Sequence, residues 1–467
     1  MHIYDSVQKV KRLFTPMVEG QASLYVCGPT VYDDAHLGHA KSALVFDLLV
    51  RTLRATGLEV KYVKNITDID DKIINKVKES GQTLEELTSF YTKRYHDDMR
   101  ALNILDPDVE PKATTSIKAM ETMILKLIDD DFAYQTEDGT VYFESNKDSK
   151  YFSLSHRNVD EDENQSRIEE IHGKKNPTDF VMWKPFKGDK DISFESELGA
   201  GRPGWHIECS AMIEEEFGSS GEFSIDIHGG GADLLFPHHE NEAAQSRCAT
   251  GKELANFWVH NGFVTINGEK MSKSLGNSFF LKDALKIYHP EVLRFYLLTS
   301  HYRQDFNFSE EDLKASKKRL DKLYRLKKRV YGMKLPENHH TDFEKALLET
   351  LKDDLNTSKA LALVDEMIST LNETLDSNPK DKQAKKSILS NITYLEKVLG
   401  IGQEDVFEYF QFGISDEDKT KIETLLANRS EAKKAKDFAT SDAIRDEILA
   451  MDISIMDTAD GTKWEKN

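Results

Sequence analysis

Ser23-Leu24-Tyr25-Val26-Cys27-Gly28-Pro29, followed shortly by His36-Leu37-Gly38-His39, is the stretch on which the fold turns. A short apolar run ended by Gly-Pro reads as a strand entering a tight turn. Beyond the histidine motif, Val45, Leu48, Leu49, Thr52 and Leu53 recur at helical spacing, and Gly57 suits the end of that helix. Leu58 to Ile66 alternates as a second strand does. Strand, glycine turn, helix, strand is a βαβ unit of a doubly wound, Rossmann-type α/β sheet. Such sheets take ligands beyond the carboxyl ends of their strands, so Cys27 and the histidine motif fall at the expected mouth of a site.

Working outward, residues from about 115 to 200 lose this pattern, and Asp160-Glu161-Asp162-Glu163 sits in a polar, loop-like stretch. The region is expected to be an insertion between two halves of the sheet. The fold resumes near Trp205. Ser224-Ile225-Asp226-Ile227-His228 reads as a strand running into Gly229-Gly230-Gly231, and a helix is expected to begin near Pro237. Past residue 310 amphipathic helical patterns cover 313–333, 341–375 and 380–399. Charged helices at 417–436 and 438–450 precede a small hairpin starting at Ile453.

At 467 residues the chain exceeds one ordinary core, so several domains are expected. No apolar run approaches the ~20 residues of a membrane span, and Met1-His2-Ile3-Tyr4-Asp5-Ser6 lacks a secretory pattern, so a cytoplasmic setting is expected. A net charge of −20 argues against a general polyanion binder. Locally, ten Lys and Arg against one acid, Asp321, lie between Lys314 and Lys334; a solvated helix face and a phosphate-backbone contact both account for them. Three cysteines, Cys27, Cys209 and Cys248, make no disulfide framework.

Cys209 stands in Gly204-Trp205-His206-Ile207-Glu208-Cys209-Ser210, and Pro237-His238-His239-Glu240-Asn241-Glu242 follows. His238 and Glu242, four apart, share a helix face, as two ligands of one metal must. A buried cysteine and an acidic cluster favoured by a helix N-terminus is the plainer alternative. His239, i−3 from Glu242, competes with His238.

About 230 residues after the first histidine motif comes Lys270-Met271-Ser272-Lys273-Ser274. In this order the two motifs resemble the paired signatures of class I aminoacyl-tRNA synthetases. Residues 25–32, 204–212 and 236–242 look like the zinc-site blocks of the cysteinyl-tRNA synthetase family, Asp353 to Ala360 like its helical-bundle block, and Lys436 to Trp464 like its anticodon-reading domain. The resemblance implies activation of L-cysteine by ATP and its transfer to tRNA(Cys), with Mg²⁺ on the nucleotide and one zinc ion per chain held by Cys27, Cys209, His238 and Glu242. It implies catalytic roles for His36, His39, Lys270 and Lys273, and ATP contacts from Thr30, His36, Gly38, His39, Gly230, Asp233 and Lys273. Substrate contacts fall to Cys27, Thr67, Trp205, Asp233 and His238. Trp464 would stack on a base, or pack within its own domain.

The expected division is 1–115 and 201–265 for the halves of the catalytic domain, and 116–200 for a connective insertion. After these come 266–312 for the KMSKS loop and stem-contact region, 313–405 for a tRNA-binding helical bundle and 406–467 for a C-terminal mixed α/β anticodon-binding domain. A monomer is expected. The nearest rival, a cysteine ligase acting on an amino sugar in thiol-cofactor synthesis, is disfavoured by the segment Asp437 to Trp464. A non-catalytic synthetase-like binding protein would need neither signature motif. A small-molecule nucleotidyltransferase would leave the zinc blocks unexplained.

Overall fold

The computed structural model describes residues 1–157, 173–188, 191–218, 221–266, 279–336, 339–458 and 461–466, and 269–270 as backbone. Four strands pair in parallel in the spatial order Glu253–Asn261, Phe223–Gly231, Gln21–Val26, Glu59–Lys64. The crossover between the two N-terminal strands is the helix Leu37–Ala55, which buries Leu44, Val45, Leu48, Leu49 and Leu53. Thr56 caps that helix, and Gly57 takes the left-handed turn after it at φ +95°. Strand order reverses between Gln21–Val26 and Phe223–Gly231, which is the switch point where such sheets bind ligands. The backbones run close here. A Cβ on Gly28 would fall 1.5 Å from the Asn65 carbonyl oxygen, and one on Gly229 2.1 Å from the Phe46 ring.

The insertion has a structure of its own. Helix Ile117–Asp129 leads into an antiparallel meander of Ala133–Gln135, Val141–Phe143, Phe180–Pro185 and Gly201–Pro203, so the meander runs to residue 203. The acidic run 160–163 lies outside the described residues. Two helices that the sequence reading passed over, Asp71–Ser80 and Leu84–Ala101, precede the insertion. Downstream, Phe236-Pro237 is a cis peptide, and the regular helix starts at Glu240 rather than near Pro237.

Two compact units emerge. The first comprises Met1–Ala284, Leu297–Asp312 and Lys345–Leu361. Within it, Lys41 of the first crossover helix is buried and donates to the carbonyls of Leu297 and Ser300 and to Ser300 Oγ, at 2.7, 3.2 and 3.0 Å. The pattern expected as one helix over 341–375 is two, Asp342–Leu351 and Thr357–Ser377. Asp354 and Leu355 adopt positive φ between them, and the buried Asp354 carboxylate gathers Tyr4 N, Tyr302 Oη and Arg303 Nε instead of continuing a helix.

The second unit comprises Leu285–Tyr296, Leu313–Glu344 and Ala362–Asn467. Much of the basic run 314–334 is engaged inside it: Lys317 pairs with Asp321, Arg319 with Asp365, Lys328 with Glu465 and Arg329 with Asp376. Helices Asp416–Lys434 and Phe438–Ala450 and the hairpin Ile453–Thr458 with Gly461–Lys466 form the C-terminal module. Trp464 is 6% exposed and packs with Ile422, Ile448 and Ile453, so it is a core residue and is not presented to a base.

Two outcomes follow from this packing. Burial pulls the Lys41 ammonium down to about 7. From about pH 7 up to the ordinary lysine value near 10, the folded chain then binds fewer protons here than the unfolded one, and stability rises with pH. Lys41→Met is expected to flatten the rise of the urea midpoint between about pH 7 and 9; an unchanged slope would refute the assignment. Trp464→Ala should cost about 3–5 kcal/mol, comparable to the whole stability of so small a module. Hydrogen exchange should then show residues 416–466 losing protection while the parallel sheet keeps its own.

Candidate active site

A cleft of 610 Å³ opens at the carboxyl ends of the strands, inside the first unit. One wall is the histidine motif. His36 is the N-cap of the crossover helix: its Nδ1 accepts from Gly38 N at 3.0 Å, while His39 Nδ1 accepts from His36 N at 3.2 Å. The capping reading is therefore realised. The rings stand 4.0 Å apart, centroid to centroid, and line the cleft. A Cβ on Gly38 would sit 2.8 Å from the His36 ring, so this position must be bare for the cap to form.

The facing wall brings together residues far apart in sequence. Cys27 Sγ lies 3.6 Å from Cys209 Sγ and 3.5 Å from Glu242 Oε1, and His238 Nε2 is 2.9 Å from the same oxygen. One donor atom from each of the four lies within 4.8 Å of all the others. Tetrahedral zinc with thiolate bonds near 2.3 Å and nitrogen or oxygen bonds near 2.0 Å has ligand-to-ligand edges of about 3.3–3.8 Å. The donor set and its spacing fit such an ion. Cys27 follows the first strand, Cys209 comes from helix Trp205–Phe217, and His238 and Glu242 come from either side of the start of helix Glu240–Thr250. Cys248 is not in this group.

The charges are mutually dependent. Burial works to raise the Glu242 carboxyl, but His238 and His228 outweigh it and hold the group well below the usual carboxylate range. Burial likewise opposes ionising Cys209, yet hydrogen bonding from Cys27 and the charge of His238 bring its thiol down to about 6. Burial and the neighbouring Cys209 push the Cys27 thiol up instead. His238, disfavoured as a cation by burial, is lifted to about 10 by Glu242 and Cys209. Metal binding here would release protons.

Three participants escaped the sequence reading, because each acts across elements with no spacing signal. His228, on the strand that ends in the glycine triplet, contacts Glu242 Oε2 at 2.7 Å. His206 Nδ1 lies 3.0 Å from His238 Nδ1; burial and His238 hold His206 down to about 3, so the neutral ring accepts from His238 and orients it. Glu208, fully buried, accepts from Thr67 Oγ1 at 3.0 Å.

The remaining expected residues fall as follows. Thr30 and Thr67 pair across the cleft floor as an isolated bridge, and Thr67 is 2% exposed. Trp205 is 38% exposed at the rim and stacks on His238 with centroids 4.1 Å apart, so it is no core tryptophan. Gly231, Ala232 and Asp233 line the cleft. Gly230 is buried one step inside, where a Cβ would come 3.0 Å from the His239 ring. Lys270 closes a two-residue strand opposite Thr265. Lys273 lies outside the described residues.

Residues 13–318 match the family model for tRNA synthetases class I (C) catalytic domain, 346–403 the DALR domain, and 418–464 the cysteinyl-tRNA ligase anticodon binding domain. The chain is 62% identical, over 100% of both chains, to the cysteine--tRNA ligase of Sulfurovum sp.. This chain belongs to the cysteine--tRNA ligase family. It is also 54% identical to the Helicobacter pylori (strain P12) cysteine--tRNA ligase over 100% of both chains. Among solved structures, Mycobacterium tuberculosis methionyl-tRNA synthetase with methionyl-adenylate aligns at TM-score 0.58 and 16% identity, covering 81% of this chain and 92% of that one. A putative arginyl tRNA synthetase from Campylobacter jejuni aligns at 0.53 and 14%, covering 82% and 94%. At such identities these two structures speak to the fold, that of the class I synthetases.

In this cysteine--tRNA ligase family member, burial and Cys209 push the Glu208 carboxyl well above its ordinary range, which favours its neutral form. Glu208→Gln, isosteric with a neutral acid, should change the unfolding free energy measured in urea by less than about 0.5 kcal/mol, whereas Glu208→Ala should cost about 2–4 kcal/mol by removing the acceptor of Thr67 and leaving a cavity. Equal losses would refute the isosteric role of the neutral acid.

Proposed function

We propose that this cleft joins L-cysteine to ATP as cysteinyl-adenylate and passes the cysteine to the 3′ end of tRNA(Cys), with zinc selecting the thiol. The observation that carries this reading is the facing of two walls: a histidine pair at a helix start, and a cluster of two sulfurs, an imidazole and a carboxylate. Cys27, Cys209, His238 and Glu242 would hold the ion, with Glu242 the member that would give way to a substrate sulfur. Zinc, when bound, prefers thiolate to hydroxyl and so separates cysteine from the nearly isosteric serine, which an apolar pocket does poorly.

The protein's own groups position and neutralise. Thr67 and Asp233 stand at the floor and side of the cleft, within which the substrate's amine and the ribose hydroxyls need acceptors. The Nε2 edges of His36 and His39, at a helix N-terminus, would meet the triphosphate. Gly38 and Thr30 would border the nucleotide. Lys270 and Lys273, with Mg²⁺ on the phosphates, would stabilise departing pyrophosphate. The substrate carboxylate attacks the α-phosphorus, pyrophosphate leaves in line, and the terminal ribose hydroxyl of tRNA displaces AMP. Trp205, stacked on His238 at the rim, is placed to cover the bound amino acid.

The anticodon-type match at 418–464 favours tRNA over an amino-sugar acceptor. Among the described residues no helix is long and apolar enough to cross a membrane, and we take the cytoplasm as the site of action and the monomer as the working state. Charging of total cellular tRNA with labelled cysteine, against labelled serine, tests the whole reading; pyrophosphate exchange without charging would point to a smaller acceptor. Cys209→Ser should lower cysteine-dependent pyrophosphate exchange more than about 100-fold, exceeding the usual effect of losing a supporting partner. Exchange at the unaltered rate would refute the zinc assignment.

A further inference from the structure

Beside the cluster just described lies a second that shares two of its members. Cys27 and Glu242 also stand with His228 and His239, again with one donor atom from each within 4.8 Å of the rest. His228 Nε2 is 2.7 Å from Glu242 Oε2 and 3.9 Å from Cys27 Sγ, and His239 Nε2 is 4.0 Å from Glu242 Oε1. Both imidazoles are fully buried and, unlike Cys209 and His238, neither lines the cleft.

The tautomers of these rings are set from behind. Ser6 Oγ–H donates to the Trp258 carbonyl at 2.9 Å, so the same oxygen accepts from His260 Nδ1–H at 2.5 Å. His260 Nε2 therefore carries a lone pair and accepts from His239 Nδ1–H at 2.8 Å. The far nitrogen of His239 is left as a buried lone pair with no hydrogen-bond partner among the described residues. His228 is anchored similarly: its Nδ1 lies 3.2 Å from the Tyr25 carbonyl, which holds the ring with Nε2 on Glu242 Oε2 at 2.7 Å, where an ion would replace the proton they share. His239 Nε2, the one nitrogen of the pair without a partner among the described residues, faces Glu242 Oε1 at 4.0 Å, a separation that a cation bound to both would fill. Imidazoles whose second nitrogen is fixed by a carbonyl or a hydrogen-bonded partner are also the usual form of histidine ligands.

We infer that one cation has two alternative seats here, an outer one closed by Cys209 and His238 and an inner one closed by His228 and His239, with Cys27 and Glu242 common to both. This rests on the metal reading above. Shared ligands forbid filling both seats at once. The inner set, one thiolate, one carboxylate and two neutral imidazoles, balances a divalent charge. The outer set, with a second thiolate, is softer and matches tetrahedral edges better, so it is the tighter seat for zinc. An ion in the inner seat is withdrawn from the cleft wall where a substrate sulfur arrives; an ion in the outer seat is presented to it.

The test is a Co²⁺ titration of the metal-free, full-length protein, followed by absorbance. Wild type should take up one equivalent with a thiolate-to-cobalt band of two-sulfur strength. Cys209→Ser should still take up one equivalent, with that band about halved because a single thiolate remains. Adding His239→Ala to Cys209→Ser should weaken uptake at least about tenfold. If circular dichroism shows Cys209→Ser misfolded, His238→Ala opens the outer seat and is judged the same way. A folded outer-seat variant that takes up no cobalt, or whose titration His239→Ala leaves unmoved, overturns the inner seat. A wild type that takes up none overturns the metal reading itself.

Discussion

Parallel pairing of Gln21–Val26 with Phe223–Gly231 is the constraint from which the site follows. Val26 stands opposite Gly229, and Cys27 N donates to the Gly229 carbonyl at 3.1 Å. That register sets the first cysteine beside elements nearly two hundred residues downstream. It also aligns the histidine helix, entered from the first strand, with the glycine triplet that ends the other. A slip along either strand would part Cys27 from Cys209 and break both walls of the cleft together. The tight contacts at Gly28 and Gly229 reflect the same demand, since any side chain there would push the strand or the helix out of place.

Glu242 is the electrostatic centre of that arrangement. A carboxylate at 0% exposure is costly unless it is paired, and here His238 and His228 approach its two oxygens from different sides. The cluster is thus coherent before any ion arrives: carboxylate, imidazolium and a thiol lowered to about 6 compensate one another. A metal would replace protons in a polar network already assembled. Rigidity of this kind suits discrimination between substrates that differ by one atom, because the ligands need little rearrangement to report on the incoming group.

Local chemistry was legible from local sequence. The strand, turn and helix around Cys27 and His36, the late glycine strand, the helices of the C-terminal third and the closing hairpin all follow from periodicity and punctuation. The misreadings have tertiary causes. Pro237 suggested a helix start, but the chain there turns through a cis bond before the helix begins at Glu240. The break at 352–356 is imposed by what Asp354 binds from distant segments, which no periodicity encodes. For Trp464 the sequence left stacking on a base and packing within its own domain both open, and the second holds because a module with so few apolar residues needs it for its core.

The sequence by itself determined the α/β class and the motifs of the two walls as separate blocks, because each depends on residue type and short spacing; the four candidate metal ligands came from the resemblance of those blocks to a known family, since Cys27 and Cys209 lie too far apart for spacing to pair them. Only the tertiary structure decided that those ligands converge, that His228 and His206 support them, and that His239 presents a buried lone pair to Glu242 rather than a second choice for the His238 position. Those facts depend on distances between elements and on the direction of hydrogen bonds through Ser6 and His260. Such quantities come into being when the sheet closes, since no local propensity fixes which buried donor meets which acceptor.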